Sequence, residues 1–270
     1  MKRIFIAAGM LISSACAHAQ ELFVYTEPAS NMPAHTVGLR ASNWLMDERE
    51  TGRTNYHFIP EIMWGVNKHL MVHAEGFISN RDGGLAAEGM GLYAKYRFYS
   101  KDTLYRHFRA AAFGRITTNN APIHQEEIMT NGHNSGFTLG LIATQLLHRQ
   151  ALSATLSYER AMDNFGGNEY PAAQSRDAMN LALSTGRLFY PKKYTSYGQV
   201  NINGMVEVLV QQHLSSDKHY IDIAPAVQFI FNSQTRVDIG YRHELYGNME
   251  RTAPNGLLLR VEHVLFSVLN

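Results

Sequence analysis

The chain has 270 residues, of which 17% are charged, well under the ~25% of an average soluble domain. Mean hydropathy is nonetheless −0.23, and past the N-terminus no apolar run reaches the ~18 residues a spanning helix needs. Lys+Arg 24 against Asp+Glu 23 leaves a net charge of +1 with no basic tract, which argues against a nucleic-acid partner. Low charge, alternating polarity and no long apolar run point to a β-rich protein in an unusual solvent.

Residues 1–19 read as a signal peptide. Lys2 and Arg3 form a positive start, 4–12 an apolar stretch, and Ala17-His18-Ala19 a small-x-small cleavage site. A buried N-terminal helix is the competing reading, but the three regions occur in the order of an export signal. The mature chain then starts at Gln20. Cys16 is the single cysteine and falls inside the removed segment. A lipoprotein would need Cys16 acylated, and Ser13 stands where an aliphatic residue is usual. Without Cys16 the mature chain has no disulfide, thiol nucleophile or thiolate metal ligand. Residues 20–35 are expected as a short periplasmic segment, and 36–270 as a transmembrane barrel.

From residue 36 the chain resolves into alternating segments of about ten residues, the signature of a membrane β-barrel. Twelve are expected, at 36–46, 55–66, 69–79, 88–99, 103–116, 136–147, 151–162, 178–190, 196–210, 220–231, 236–246 and 257–267. In the second, Tyr56, Phe58, Pro60, Ile62, Trp64 and Val66 oppose Asn55, His57, Ile59, Glu61, Met63 and Gly65. In the ninth, Val200, Ile202, Val206, Val208 and Val210 oppose Asn201, Asn203, Glu207 and Gln211. In the tenth, Ile221, Ile223, Val227, Phe229 and Phe231 oppose Asp222, Ala224 and Gln228. Residues 139–162 also admit an amphipathic helix, but the turn-like His148-Arg149-Gln150 splits them into two strands. The expected architecture is an all-β, twelve-stranded antiparallel up-and-down barrel.

The connections carry the orientation. Those near 67–68, 100–102, 148–150, 191–195 and 232–235 are tight. Those near 47–54, 80–87, 117–135, 163–177, 212–219 and 247–256 are longer and polar. A membrane barrel sorts its loops this way, with short periplasmic turns and long extracellular loops. Aromatics gather where even-numbered strands descend to the periplasm, at Trp64, Phe98, Phe189 with Tyr190, Phe229 with Phe231, and Phe266. An amphipathic ring suits that interface. The expected location is the outer membrane of a Gram-negative bacterium, with lipid and the barrel-assembly machinery as partners.

The face opposite the apolar set carries Arg40, His57, Glu61, His73, Glu75, Lys95, Arg97, Arg109, Arg115, Glu159, Glu207, Asp222, Asp238, Arg242, Arg260 and Glu262. Charges of both signs on one surface suit a narrow lumen, and all of these but His57, His73 and Arg115 are the expected channel lining. Two stretches resemble a known group. Ile223-Ala224-Pro225-Ala226-Val227-Gln228-Phe229-Ile230-Phe231-Asn232 with Arg236-Val237-Asp238-Ile239-Gly240-Tyr241-Arg242 looks like a hairpin of the phenol-degradation MetA-pathway, or transporter, family of outer-membrane barrels. Gly91-Leu92-Tyr93-Ala94-Lys95-Tyr96-Arg97-Phe98 is similar to an earlier strand of such barrels. The resemblance implies passage of small, often hydrophobic compounds across the outer membrane. Such barrels commonly end in an aromatic residue, whereas this chain ends Leu269-Asn270.

Catalytic motifs are few. There is no phosphate loop, dinucleotide fingerprint or HExxH, and no cofactor is expected. His133 and Ser135 match the His-x-Ser spacing of the outer-membrane phospholipase, itself a twelve-stranded barrel. Its orienting asparagine has no counterpart here, since Leu146 and Leu147 stand in that region and Asn180 is two strands away. His124, Met129 and His133 share one long loop, and His213 and His219 another, without the density that fixes a metal. Three readings therefore stand. A non-enzymatic passive channel or transporter for small molecules comes first, followed by a lipid hydrolase using His133 and Ser135. The third is a closed barrel that binds a partner or metal through its loops.

Overall fold

The computed structural model describes residues 23–266 and 268, apart from 50, 51, 82, 194, 195 and 197. The readings placed on residues 1–22 and on Leu269-Asn270 lie outside them. The strands are β1 (Thr36–Asp47), β2 (Thr54–Gly65), β3 (Leu70–Ser79), β4 (Ala86–Thr103), β5 (Arg106–Asn119) and β6 (Gly136–Leu147), then β7 (Gln150–Ala161), β8 (Asp177–Tyr190), β9 (Asn201–His213), β10 (His219–Phe231), β11 (Thr235–Gly247) and β12 (Asn255–Leu265). Each pairs antiparallel with its sequence neighbours, and β1 closes on β12 through Val37↔Leu265 to Asp47↔Asn255. Closure leaves no edge, so every strand amide has a ladder to join.

Side-chain direction follows the period-two reading strand by strand. In β2 the inward set Asn55, His57, Ile59, Glu61, Met63 and Gly65 is buried, while Ile62 and Trp64 are exposed. In β10 Asp222, Ala224 and Gln228 are buried, and Val227 and Phe231 face out. The outer wall carries Ile62, Leu92, Ile116, Leu139, Leu141 and Leu183, each at least half exposed. A soluble sheet would bury such a band, whereas hydrocarbon solvates it. Among the aromatics expected at the periplasmic interface, Trp64, Phe98, Phe189, Tyr190 and Phe231 are exposed.

The start of β1, the end of β12 and the tight turns share one end of the barrel. Asn232 and Ser233 sit at φ 51° and 56°, and Gln234 N donates to Phe231 O at 3.0 Å. Positive φ at both central positions is the mark of a type I′ turn, here within the three residues 232–234 between Phe231 and its partner Thr235. Two connections depart from expectation. The turn expected at 100–102 lies within β4, whose pairing with β5 carries on to Thr103↔Arg106, and the chain turns at 104–105. The ninth strand was expected from 196, but β9 begins at Asn201. The β8–β9 ladder ends at Tyr190↔Ile202, and Pro191 has no amide with which to extend it. The resulting 191–200 connection outruns the opposite-end loops 48–53 and 214–218, so loop-length alternation breaks there.

The wall makes a testable contrast. Val206 lies mid-strand on β9 and faces out. Val206→Arg should lower the unfolding free energy by about 2–4 kcal/mol, because the charge sits near the midplane. Urea titration of the folded fraction in lipid vesicles measures it. A loss under ~0.5 kcal/mol, the level of an ordinary surface change, would place Val206 in water.

Candidate functional site

The lumen is filled by two stretches of chain. The first is the segment expected as periplasmic. Its described residues from Phe23 onward run inside the barrel instead, with Phe23, Val24 and Ala29 buried. A segment without regular structure must find partners for its amides, and here the wall supplies them. Val24 N and Tyr25 N donate to Glu207 Oε1 at 2.8 and 2.7 Å, and Thr26 N donates to Oε2 at 3.0 Å. Thr26 Oγ1 and Ser184 Oγ donate to Glu207 Oε2 at 2.6 and 3.0 Å. Ser184 and Glu207 are register partners across β8 and β9.

Further along, Ala29 N donates to Thr144 Oγ1 on β6 at 2.9 Å, and Lys95 Nζ on β4 donates to Pro28 O at 2.7 Å. Glu27 pairs with Arg40 at 2.8 Å and Lys95 at 3.3 Å. Arg109 Nη1 donates to Ser30 Oγ at 2.8 Å. The segment therefore reaches walls on many sides of the barrel. Apolar contacts pin both ends, Val24 against Met205, Ala226 and Leu258, and Met32 against Met63, Met71 and Tyr93. Two wall glycines make room. A Cβ on Gly65 would stand 2.1 Å from Pro33 O, and one on Gly240 would stand 2.8 Å from Tyr25 Oη.

The second filler is the 120–135 loop, which descends from the opposite end. Ile128 N donates to Gln211 Oε1 at 2.9 Å, and Gln211 Nε2 returns a bond to Ile128 O at 2.8 Å. Thr130 N and Oγ1 both donate to Glu159 Oε1 at 2.7 Å. Glu127 joins a buried ionic cluster. Arg242 reaches it at 2.9 Å and Asp222 at 2.6 Å, while Arg251 reaches Glu127, Asp222 and Glu244 at 2.8 Å each. The Tyr220 ring lies 3.9 Å from the Arg251 guanidinium, a cation–π contact. Burial works to raise the Glu127 carboxyl, but Arg251 and Arg242 outweigh it and hold the group down from its ordinary 4.5 to about 2.

The expected lining residues thus face inward and are largely spoken for. Arg40, Glu61, Glu75, Lys95, Glu159, Glu207, Asp222, Asp238, Arg242, Arg260 and Glu262 are buried. Arg97 and Arg109 are half-buried, and Arg97 Nη2 donates to Lys68 O at the short-turn rim. Between the fillers small chambers remain. One of ≈ 250 Å³ is lined by Val24 to Glu27, Glu127 to Met129 and wall groups including Glu61, Arg115 and Glu159. Another of ≈ 140 Å³ lies among Tyr25, Trp44, His57, Glu127, His133 and Arg242. Sequence reasoning missed Arg251, Glu127 and the segment itself.

The hydrolase pair is not assembled. Ser135 Oγ accepts from Asn119 N at 2.8 Å and donates to Asn119 O at 3.1 Å. His133 stacks on His57 at 4.5 Å between ring centroids, with Nδ1 against the Arg81 guanidinium. Burial, with Arg81 beside it, pushes the His133 imidazole well below its usual range. Among the described residues no hydrogen bond joins His133 to Ser135. Asn180 instead donates to Glu159 at 2.7 Å. The loop histidines form no cluster either. The one group of His and carboxylate donors within metal-ligand reach among the described residues is Glu61, His73 and Glu75, in the wall.

No family model matches the sequence, and no curated protein does. Solved structures do match in shape. An outer-membrane channel from Pseudomonas putida F1 is similar at 11% identity over 90% of this chain and 100% of that one, with a TM-score of 0.55. The β domain of the Bordetella autotransporter BrkA is 12% identical over 86% of this chain and 100% of that one, with a TM-score of 0.45. The first likeness shows the fold, a β-barrel of the outer-membrane kind.

The Glu127 cluster makes two predictions. Arg251→Ala leaves Glu127, Asp222 and Glu244 short of a cation and should cost about 3–5 kcal/mol of unfolding free energy. Because the folded carboxyl titrates below its unfolded value, Glu127 contributes full stabilisation above about pH 4.5 and loses it as pH falls toward 2. Trp44 lines the chamber beside Glu127. In a Trp64→Phe background its fluorescence should change across that window, and Glu127→Gln should abolish the change. A flat profile in the parent would contradict the assignment.

Proposed function

We propose that the chain is an outer-membrane channel for small molecules whose N-terminal segment is a removable plug. The apolar outer band and closed ladder suit a barrel in lipid, and the signal segment expected at 1–19 suits export across the inner membrane. The observation that carries the reading is how the plug is held. It belongs to no strand ladder, and its hydrogen-bonded grip on β8 and β9 passes through one carboxylate, Glu207, with the Thr26–Ser184 hydroxyl contact beside it. It can leave by swinging about the chain near His35 without breaking a wall strand. His35 N is tied to Gly65 O at 2.7 Å, which marks the fixed end of that swing.

With the plug seated, the chambers leave room only for small solutes. At ≈ 250 Å³ the larger one falls below the ~300 Å³ at which pockets for drug-sized ligands begin. Its wall mixes paired charges with Tyr93, Phe113 and Ile142, which suits small solutes with an apolar body. The resemblance to the MetA-pathway barrels points the same way. The lining charges tune passage because fixed groups in a narrow, water-poor space set the local field.

Planar-bilayer conductance and liposome swelling test the reading. Mature protein should conduct weakly, and a chain lacking 20–32 should conduct several times more. Glu207→Ala should fall between them, since it unties three plug amides while leaving the apolar contacts. Equal conductance in all three would sink the plug, and hydrolysis of phospholipid by the parent would revive the enzyme reading.

A further inference from the structure

The wall between β2 and β3 carries an arrangement that the channel reading does not use. Their register sets Glu61 directly opposite Glu75, with Met63 opposite His73. Glu61, His73 and Glu75 all face inward and all are more than nine-tenths buried. Two carboxylates opposite one another on neighbouring strands repel, and in a buried site each needs a cation.

The arginines nearby meet that need only in part. Arg40 Nη1 is 3.3 Å from Glu61 Oε2, but its guanidinium lies closer to Glu27 and Glu262, at 2.8 and 2.7 Å. Arg115 reaches Glu75 Oε1 at 3.1 Å. Glu75 Oε2 is buried and accepts no hydrogen bond. His73 repeats the pattern, with Nδ1 lying 3.3 Å from Glu61 Oε2 while Nε2 is buried without a partner. With the ring proton on Nε2, Nδ1 turns its lone pair toward Glu61 Oε2 at 3.3 Å, and two acceptors face each other with no proton between them. Glu75 Oε2 beside them is a further acceptor without a hydrogen bond.

We propose that Glu61, His73 and Glu75 bind one divalent transition-metal ion of the Zn²⁺ class. One donor atom from each residue lies within 4.8 Å of the others. The 3.3 Å between His73 Nδ1 and Glu61 Oε2 is the edge of a tetrahedron around an ion with bonds of about 2.0–2.1 Å. Bringing in Glu75 takes a side-chain movement of about 1–2 Å on that same geometry. One imidazole with two carboxylates favours zinc-like ions over Ca²⁺ or Mg²⁺, which prefer oxygen alone. Glu61 lines the ≈ 250 Å³ chamber, which gives the ion its way in from the lumen. The inference rests on the wall alone and stands whether or not the barrel conducts.

The test uses untagged mature protein folded in detergent micelles, with Zn²⁺ titrated against a fluorescent chelator. One ion per chain should bind. His73→Ala and Glu75→Gln should each weaken binding by about tenfold or more, since each removes a ligand. The loop variants His124→Ala and His219→Ala should bind as the parent does. Failure of the parent to bind one Zn²⁺ would overturn the proposal, as would full affinity in His73→Ala. Folding of each variant is checked by the gel shift between boiled and unboiled samples. If the wall variants do not fold, Co²⁺ added to the parent decides. Intense visible bands of a four- or five-coordinate ion support the site, and the unchanged spectrum of the aqueous ion overturns it.

Discussion

A strand surrounded by hydrocarbon can send its amides only to a neighbouring strand, and the rest of this molecule depends on that constraint. It forces closure, met here by the β1–β12 ladder. Closure in turn fixes side-chain direction, so alternate residues meet lipid and the rest meet the interior. Twelve strands enclose a space between the side-chain-filled lumen of eight strands and the aqueous channel of sixteen or eighteen. Lys95, Glu207, Asp222 and Asp238 line that space and are wholly buried. Such groups require partners, and wall-to-wall pairs such as Arg236–Glu262 supply only some of them. Lys95, Glu207 and Asp222 are satisfied by chain brought in from either end.

The two fillers solve the same problem with opposite chemistry. The N-terminal segment brings amides, which converge on an acceptor in the wall at Glu207. The 120–135 loop brings a carboxylate, Glu127, which takes two guanidiniums, one from the wall and one from the 248–254 loop. Removing one member of such a set strands the others in a dry interior, a larger penalty than the bond itself. The fillers are therefore firmly seated without being woven into any ladder. A gate needs that combination.

Much of the wall was legible in the sequence because strand alternation is local. Tyr56 to Gly65 or Ile221 to Phe231 announce their two faces without reference to any other segment. The start of β9 was misplaced because alternation continues through Val200 while pairing does not, and pairing is a property of β8. The plug was not legible at all. Residues 23–35 have no period, and the carboxylate that holds them lies about 180 positions away. The Glu61, His73 and Glu75 cluster sits between these cases. Each residue was assigned correctly to the inner face, yet their juxtaposition needs the register of one hairpin, which the sequence leaves open. The loop histidines drew attention by density, whereas the wall cluster assembles from residues spaced by the pleat.

The central claim, that the N-terminal segment lies inside the barrel, is tested most directly by a disulfide. Thr26 Oγ1 and Ser184 Oγ stand 2.9 Å apart, and the chain carries one cysteine, Cys16, within the expected signal. Mature protein carrying Thr26→Cys and Ser184→Cys, oxidised after folding, should yield a single cross-linked peptide joining the two positions in mass spectrometry. Recovery of both cysteines unlinked, in protein that still shows the folded gel shift, would contradict the account.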